Sequence, residues 1–156
     1  MSTRHGFLEG YLPYLFRRAD QALSAPFYAT LNRYGVARSD WRVLAVLEEF
    51  GDLTVLELAA AALSPQPTVT HSLRRLEKQG LVTRKTGTSD RRQRIVSATA
   101  AGSKLTRTLM AEAKVLEAEA LGTAGDLAGL LDQLASLTAS LEEQALNLTE
   151  DTKAAG

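Results

Sequence analysis

Apolar residues at Phe7, Leu8, Tyr11, Leu12, Leu15, Phe16, Ala19, Leu23, Phe27 and Leu31 recur at intervals of three and four, the spacing of one helical face. The pattern predicts one long first helix with Pro13 in its opening turn, where a missing backbone donor is harmless. Pro26 lies inside the stripe, where loss of a donor predicts a kink. Asn32 to Arg38 breaks the period, and Gly35 suits the left-handed position that closes a helix. Ser39 and Asp40 then read as the opening of a second helix that buries Trp41, Leu44, Ala45, Leu47 and Phe50.

Gly51 and Asp52 turn the chain. Thr54 and Glu57 have the spacing at which a capping hydroxyl and an acid three residues on satisfy each other's backbone donors, predicting a short helix to about Leu63. Ser64-Pro65-Gln66-Pro67 stops it, and Pro67 suits the start of a helix with Val69, Leu73 and Leu76 on one face and Gly80 at its end. Two short helices joined this tightly form a helix-turn-helix. Leu81–Lys85 and Arg94–Ala98 are short and rich in β-branched residues, and the turn-forming Thr-Gly-Thr-Ser-Asp lies between them, so they predict a β-hairpin. Thr99 can cap the next helix, which carries Leu105, Leu109 and Leu116. The last helix repeats leucine at 127, 130, 134, 137, 141 and 148, with Leu131 widening the stripe. The predicted fold is mainly α with one small hairpin, a winged helix-turn-helix set between N- and C-terminal helices.

Charge sharpens this picture. Although 18 lysines and arginines balance 18 acids, residues 1–63 carry a net −1, residues 64–107 a net +8 and residues 108–156 a net −7. A basic block of that kind, over a helix-turn-helix and hairpin, points to a polyanion. On the helix after Pro67, the residues left facing outward are Thr68, Thr70, His71, Arg74, Arg75 and Lys78. A helix fits the DNA major groove, and arginine on guanine is the commonest specific contact there. Gln66, Thr68, Thr70, His71 and Arg75 are the candidate readers of bases, with Arg74 beside them. The hairpin tip adds Asp90, Arg91, Arg92 and Arg94, placed to reach an adjacent minor groove, with Asp90 available to hold Arg92. The competing reading is a solvated helix face and a charged turn whose ion pair contributes only about 0–1 kcal/mol.

Other chemistries find little support. There are no cysteines, which removes disulfides, thiol nucleophiles and thiolate metal sites and suits a reducing cytoplasm. No apolar run approaches the roughly 18 residues of a membrane span, and no signal core opens the chain. His5 and His71 fall in different elements, and no phosphate loop, metal-ligand spacing or nucleophile–base pair is evident. The expectation is a cytoplasmic non-enzyme without cofactor or metal.

Leu-x-x-Leu-Glu-x-x-Gly-Leu-Val-x-Arg at Leu73–Arg84, followed by Asp90-Arg91-Arg92-x-x-x-Val96-x-x-Thr99-x-x-Gly102, resembles the MarR (multiple antibiotic resistance regulator) family of winged-helix transcription factors. The likeness extends to the long first helix, the Trp41-x-Val43-Leu44 helix and the closing helices. One departure is Ala98, where the family usually has leucine, which trims the packing behind the wing. The resemblance implies a homodimer on double-stranded DNA. It assigns residues 1–38 and 101–153 to dimerisation and 39–100 to the DNA-binding lobe, all integrated in one domain. It also implies Asp90 and Arg92 as a structural acid and a minor-groove arginine, and repression relieved by a small aromatic or amphipathic effector. Tyr11, Tyr14, Arg18, Trp41 and Arg42, with Arg17 nearby, are the effector candidates, since arginine beside aromatic walls suits a ring-borne carboxylate. Core or dimer packing by Trp41 and the tyrosines, with the arginines as surface charge, is the simpler account of the same residues. The alternative function is a winged-helix module that binds an acidic protein.

Overall fold

The computed structural model describes residues 6–86, 94–122 and 127–154. The leading apolar stripe folds as two helices rather than one, α1 (Phe7–Gly10) and α2 (Leu12–Arg33), parted by the extended backbone of Tyr11. Pro13 has no N–H for the carbonyl of Glu9 and its ring would crowd that oxygen, so the helix restarts with proline in its first turn. Then follow α3 (Arg38–Phe50), β1 (Leu53–Thr54), α4 (Val55–Ala61), α5 (Gln66–Lys78), β2 (Val82–Thr86), β3 (Arg94–Ala98), α6 (Ala100–Leu121) and α7 (Leu127–Ala154).

The chain divides into two compact units after Glu117. In the first, Leu31, Leu44, Leu58, Leu73, Leu76, Val96 and Leu109 form a core at or near zero exposure. Helix α3 meets it through Asp40, Val43, Leu44 and Leu47, a stripe that begins with an acid. Phe50, expected on that face, is 65% exposed because the stripe ends one turn earlier. The expected opening by Ser39 and Asp40 also differs, since α3 starts at Arg38 with no side-chain cap.

Three helices close in the same way. Beyond α2, α4 and α5, the amides of Val36, Ser64 and Leu81 reach back to the carbonyls of Leu31, Ala59 and Leu76 at 3.0, 3.1 and 2.9 Å. This closure needs a left-handed residue, supplied by Gly35 and Gly80 but also by Leu63 (φ 48°). Helix α4 opens with the expected reciprocal cap: the Glu57 amide donates to Thr54 Oγ1 at 3.2 Å, and the Thr54 amide donates to Glu57 Oε2 at 2.8 Å.

The hairpin belongs to a three-stranded antiparallel sheet ordered β1-β3-β2, with Leu53 opposite Val96 and Val82 opposite Ala98. Two residues of β1 are too few to show a sequence period. Behind the sheet, the Thr99 hydroxyl donates to Gly80 O at 2.8 Å and accepts the Gly102 amide at 3.0 Å. A Cβ at Gly102 would lie 2.0 Å from the Leu81 carbonyl oxygen, so helix and strand meet there only through glycine. The Thr-x-x-Gly of the sequence is therefore a welded joint between wing and α6.

In the second unit, α7 leaves Leu130, Leu131, Leu141 and Leu146 exposed, with Leu134 and Leu137 half-buried. Among the described residues, no helix is long and apolar enough to cross a membrane.

Candidate nucleic-acid interface

Helix α5 buries Val69, Ser72, Leu73 and Leu76 and sends the rest of its surface outward. Gln66, Thr68, His71, Arg74 and Lys78 are exposed, with Thr70 and Arg75 half-buried at the margins. Its first turn carries the amides of Gln66 and Thr68 and no side-chain cap, an arrangement suited to an anion. The sequence-predicted readers thus share one continuous face.

Arg75 is the exception. Its Nε donates to Asp40 Oδ2 at 3.0 Å and its Nη2 to Oδ1, while Nη2 also lies 3.0 Å from Ser39 Oγ and 3.3 Å from Ser72 Oγ. Hydrogen bonding to Asp40 raises the guanidinium pKa, against an opposing desolvation. Asp40 is only 2% exposed, and a carboxylate that deep requires a cation. Arg75, expected among the readers of bases, is here engaged by Asp40, so its fork joins α3 to α5. The sequence held a signal, an aspartate on the apolar stripe of α3, but that aspartate read as a helix cap.

A second forked pair joins α5 to the wing. Arg84 on β2 donates through Nε to Glu77 Oε1 at 2.8 Å and through Nη2 to Oε2, and these bonds raise its pKa. Glu77, Arg84 and Arg94 border one hollow of about 270 Å³. Arg94 is exposed at the start of β3. Asp90, Arg91 and Arg92 lie outside the described residues.

The effector candidates fall into two arrangements. Arg18 stands over the Tyr14 ring at 5.8 Å, and Tyr11 stacks on Phe7 at 4.9 Å. Trp41 packs edge-on against Phe27 at 5.0 Å, and Phe27 lies about 20 Å beyond Tyr14 along α2 by helical rise. Arg42 is exposed on α3. Beside Phe27, a cleft of about 190 Å³ opens between α2 and α6, lined by Leu23, Ala113, Lys114 and Leu116 among others.

The sequence reading missed two clusters. Arg38 covers the Tyr28 ring at 3.6 Å. At the end of α2, Arg33 Nη2 and Tyr34 Oη donate to opposite oxygens of Glu112 on α6 at 3.0 and 2.6 Å. No sequence period links residues so far apart. Among the described residues, no cluster of acids and histidines could hold a metal ion.

Comparison with known proteins places this geometry. A family model described as MarR family matches residues 34–93. The solved structure of the MarR family transcriptional regulator SPO1453 from Silicibacter pomeroyi DSS-3 is 30% identical, covers 86% of this chain and 99% of its own, and superposes with a TM-score of 0.73. The chain belongs to the MarR family. Ligand-bound NadR, solved with 4-hydroxyphenylacetate, is also 30% identical, with 90% of this chain and 96% of NadR covered at a TM-score of 0.73. Among curated MarR-type relatives, the HTH-type transcriptional regulator FarR of Neisseria gonorrhoeae is 36% identical over 88 residues, 56% of this chain; the match spans 60% of FarR. These relatives are regulators of transcription, not enzymes, and the winged-helix fold expected from the sequence is the one they share.

Proposed function

We propose that this MarR-family regulator is a cytoplasmic homodimeric repressor that leaves a pseudo-palindromic operator when a small aromatic acid binds. The observation that carries the reading is the α5 face, with Gln66, Thr68, His71 and Arg74 exposed over a helix pinned to the core by Val69, Leu73 and Leu76. Gln66, Thr68, Thr70 and His71 contact base edges, Arg74 and Arg94 contact phosphate, and Arg91 and Arg92 act from the wing with Asp90 as the holding acid. A two-fold dimer sets two such helices about one DNA turn apart. Repression is the sense the family likeness implies, and a dimer seated over a promoter would exert it by excluding other proteins.

NadR's complex with 4-hydroxyphenylacetate supports an aromatic carboxylate as the effector class. Tyr14 with Arg18, and Trp41 with Arg42, are the pairs that offer a ring and a cation; Tyr11 extends the first. The effector acts by favouring a lobe spacing that no longer fits the operator, which requires differential affinity for the two states. A mobility-shift titration on the DNA flanking the protein's own coding region, repeated with aromatic acids and their thioesters, tests both parts. A shifted band dissolved by one class of acid is the expected result; no shift of any flanking fragment contradicts the proposal.

A further inference from the structure

We propose that Asp40 is a positioning residue for operator specificity: it neutralises Arg75 and so withholds one cation of the recognition helix from the DNA phosphates. The inference rests on the DNA-binding reading above. Asp40 sits in the first turn of α3, on the buried stripe of that helix and 2% exposed. The unpaired amides and dipole of that turn favour an acid. Arg75 meets it with two nitrogens, and Ser39 and Ser72 place their oxygens around the same Nη2. Releasing Arg75 to a phosphate would leave a buried carboxylate without its cation, so the guanidinium stays where it is.

The consequence lies in what kind of affinity the helix supplies. Phosphate contacts add sequence-independent binding, and base-edge contacts add discrimination. Helix α5 carries Arg74, Arg75 and Lys78 as cations. With Arg75 turned inward, Arg74 and Lys78 are its exposed cations, next to the polar readers Gln66, Thr68 and His71. A residue that does not touch DNA thereby shifts the balance from general towards specific binding.

The test uses the full chain as wild type, Asp40→Asn, Arg75→Gln and the double variant. Each is titrated over a salt series with a duplex from the region upstream of its own coding sequence and with a shuffled duplex of the same length. Asp40→Asn unmasks the guanidinium, so the slope of log affinity against log salt should steepen by about 0.9 per bound protomer. Its binding to the shuffled duplex should tighten and its preference for the upstream duplex fall. The double variant should keep the wild-type slope, because the two charges it removes already cancel each other; Arg75→Gln, which leaves the Asp40 carboxylate unpaired, should bind neither duplex more tightly than wild type. The double variant, which removes both charges, serves if Asp40 without its partner unfolds the protein.

An unchanged slope and preference in Asp40→Asn overturns the inference. So does a slope about 0.9 shallower in the double variant, since Arg75 would then be a phosphate contact. A wild type that binds neither duplex defeats the DNA-binding reading and this inference with it. A wild type that binds with steep salt dependence and is matched by Asp40→Asn defeats this inference alone.

Discussion

Two single residues mark how tightly the DNA-binding lobe is built. At Gly102 the helix backbone passes so close to the Leu81 carbonyl oxygen that a Cβ would sit 2.0 Å from it. Gly102→Ala therefore forces α6 away from the strand and should destabilise the protein by at least the ~1–3 kcal/mol typical of overpacking, read from the midpoint of a urea melt. Leu63 presents the opposite case. It occupies the left-handed position that glycine fills after α2 and α5, yet its side chain is 89% exposed and packs against little. A left-handed conformation costs a non-glycine residue about 1–2 kcal/mol, partly offset by the extra freedom that glycine gives the unfolded chain. Leu63→Gly should accordingly leave stability unchanged or raise it by up to about 1 kcal/mol in the same melt. A clear loss would mean that Leu63 has a packing partner.

At the scale of elements, the recognition helix is braced on two sides, by Asp40–Arg75 to α3 and by Glu77–Arg84 to β2. The end of α2 is tied to α6 through Glu112, which accepts from both Arg33 and Tyr34. That last tie has a pH signature. The hydrogen bond to Glu112, then desolvation, then the charge of Glu112 raise the Tyr34 pKa above 10.0, with Arg33 opposing. A folded pKa above the unfolded one means that the contribution is complete below the ordinary tyrosine pKa and is lost as pH rises through the folded value. In an absorbance titration Tyr34 should ionise late; Tyr34→Phe should delete that component, and Glu112→Gln should move it back towards its ordinary position. These braces also separate what the sequence made legible from what it did not. Helices with apolar periods, the cap at Thr54 and Glu57, the glycine stops and the exposed α5 face were all readable, because each is local. The two-residue β1 depends on a strand distant in the chain, whereas the split at Tyr11 and the inward turn of Arg75 had local signals, Pro13 and the aspartate on the α3 stripe, that the apolar period and the capping pattern masked.

For the whole molecule, both ends of the chain expose apolar side chains that a monomer would leave wet. Phe7, Leu8, Tyr11, Leu12, Leu15 and Phe16 are exposed in the first unit, and Leu130, Leu131, Leu141 and Leu146 in the second. In the proposed function a second copy of the chain covers these apolar residues. Light scattering at micromolar concentration should give the mass of a dimer, and a charge placed in the stripe, as in Leu141→Glu, should shift it towards monomer. A monomeric wild type would remove the basis for paired recognition helices.

The central claim is sequence-specific DNA binding through α5 and the wing, and an anisotropy titration of the intact protein tests it most directly. The probe is a labelled duplex from upstream of its coding region, at several salt concentrations, with a shuffled duplex as competitor. The account predicts that log affinity falls linearly with log salt and that the upstream duplex is preferred at every salt concentration, with the preference weakened by His71→Ala. Binding that ignores salt, or that treats the two duplexes alike, would contradict it.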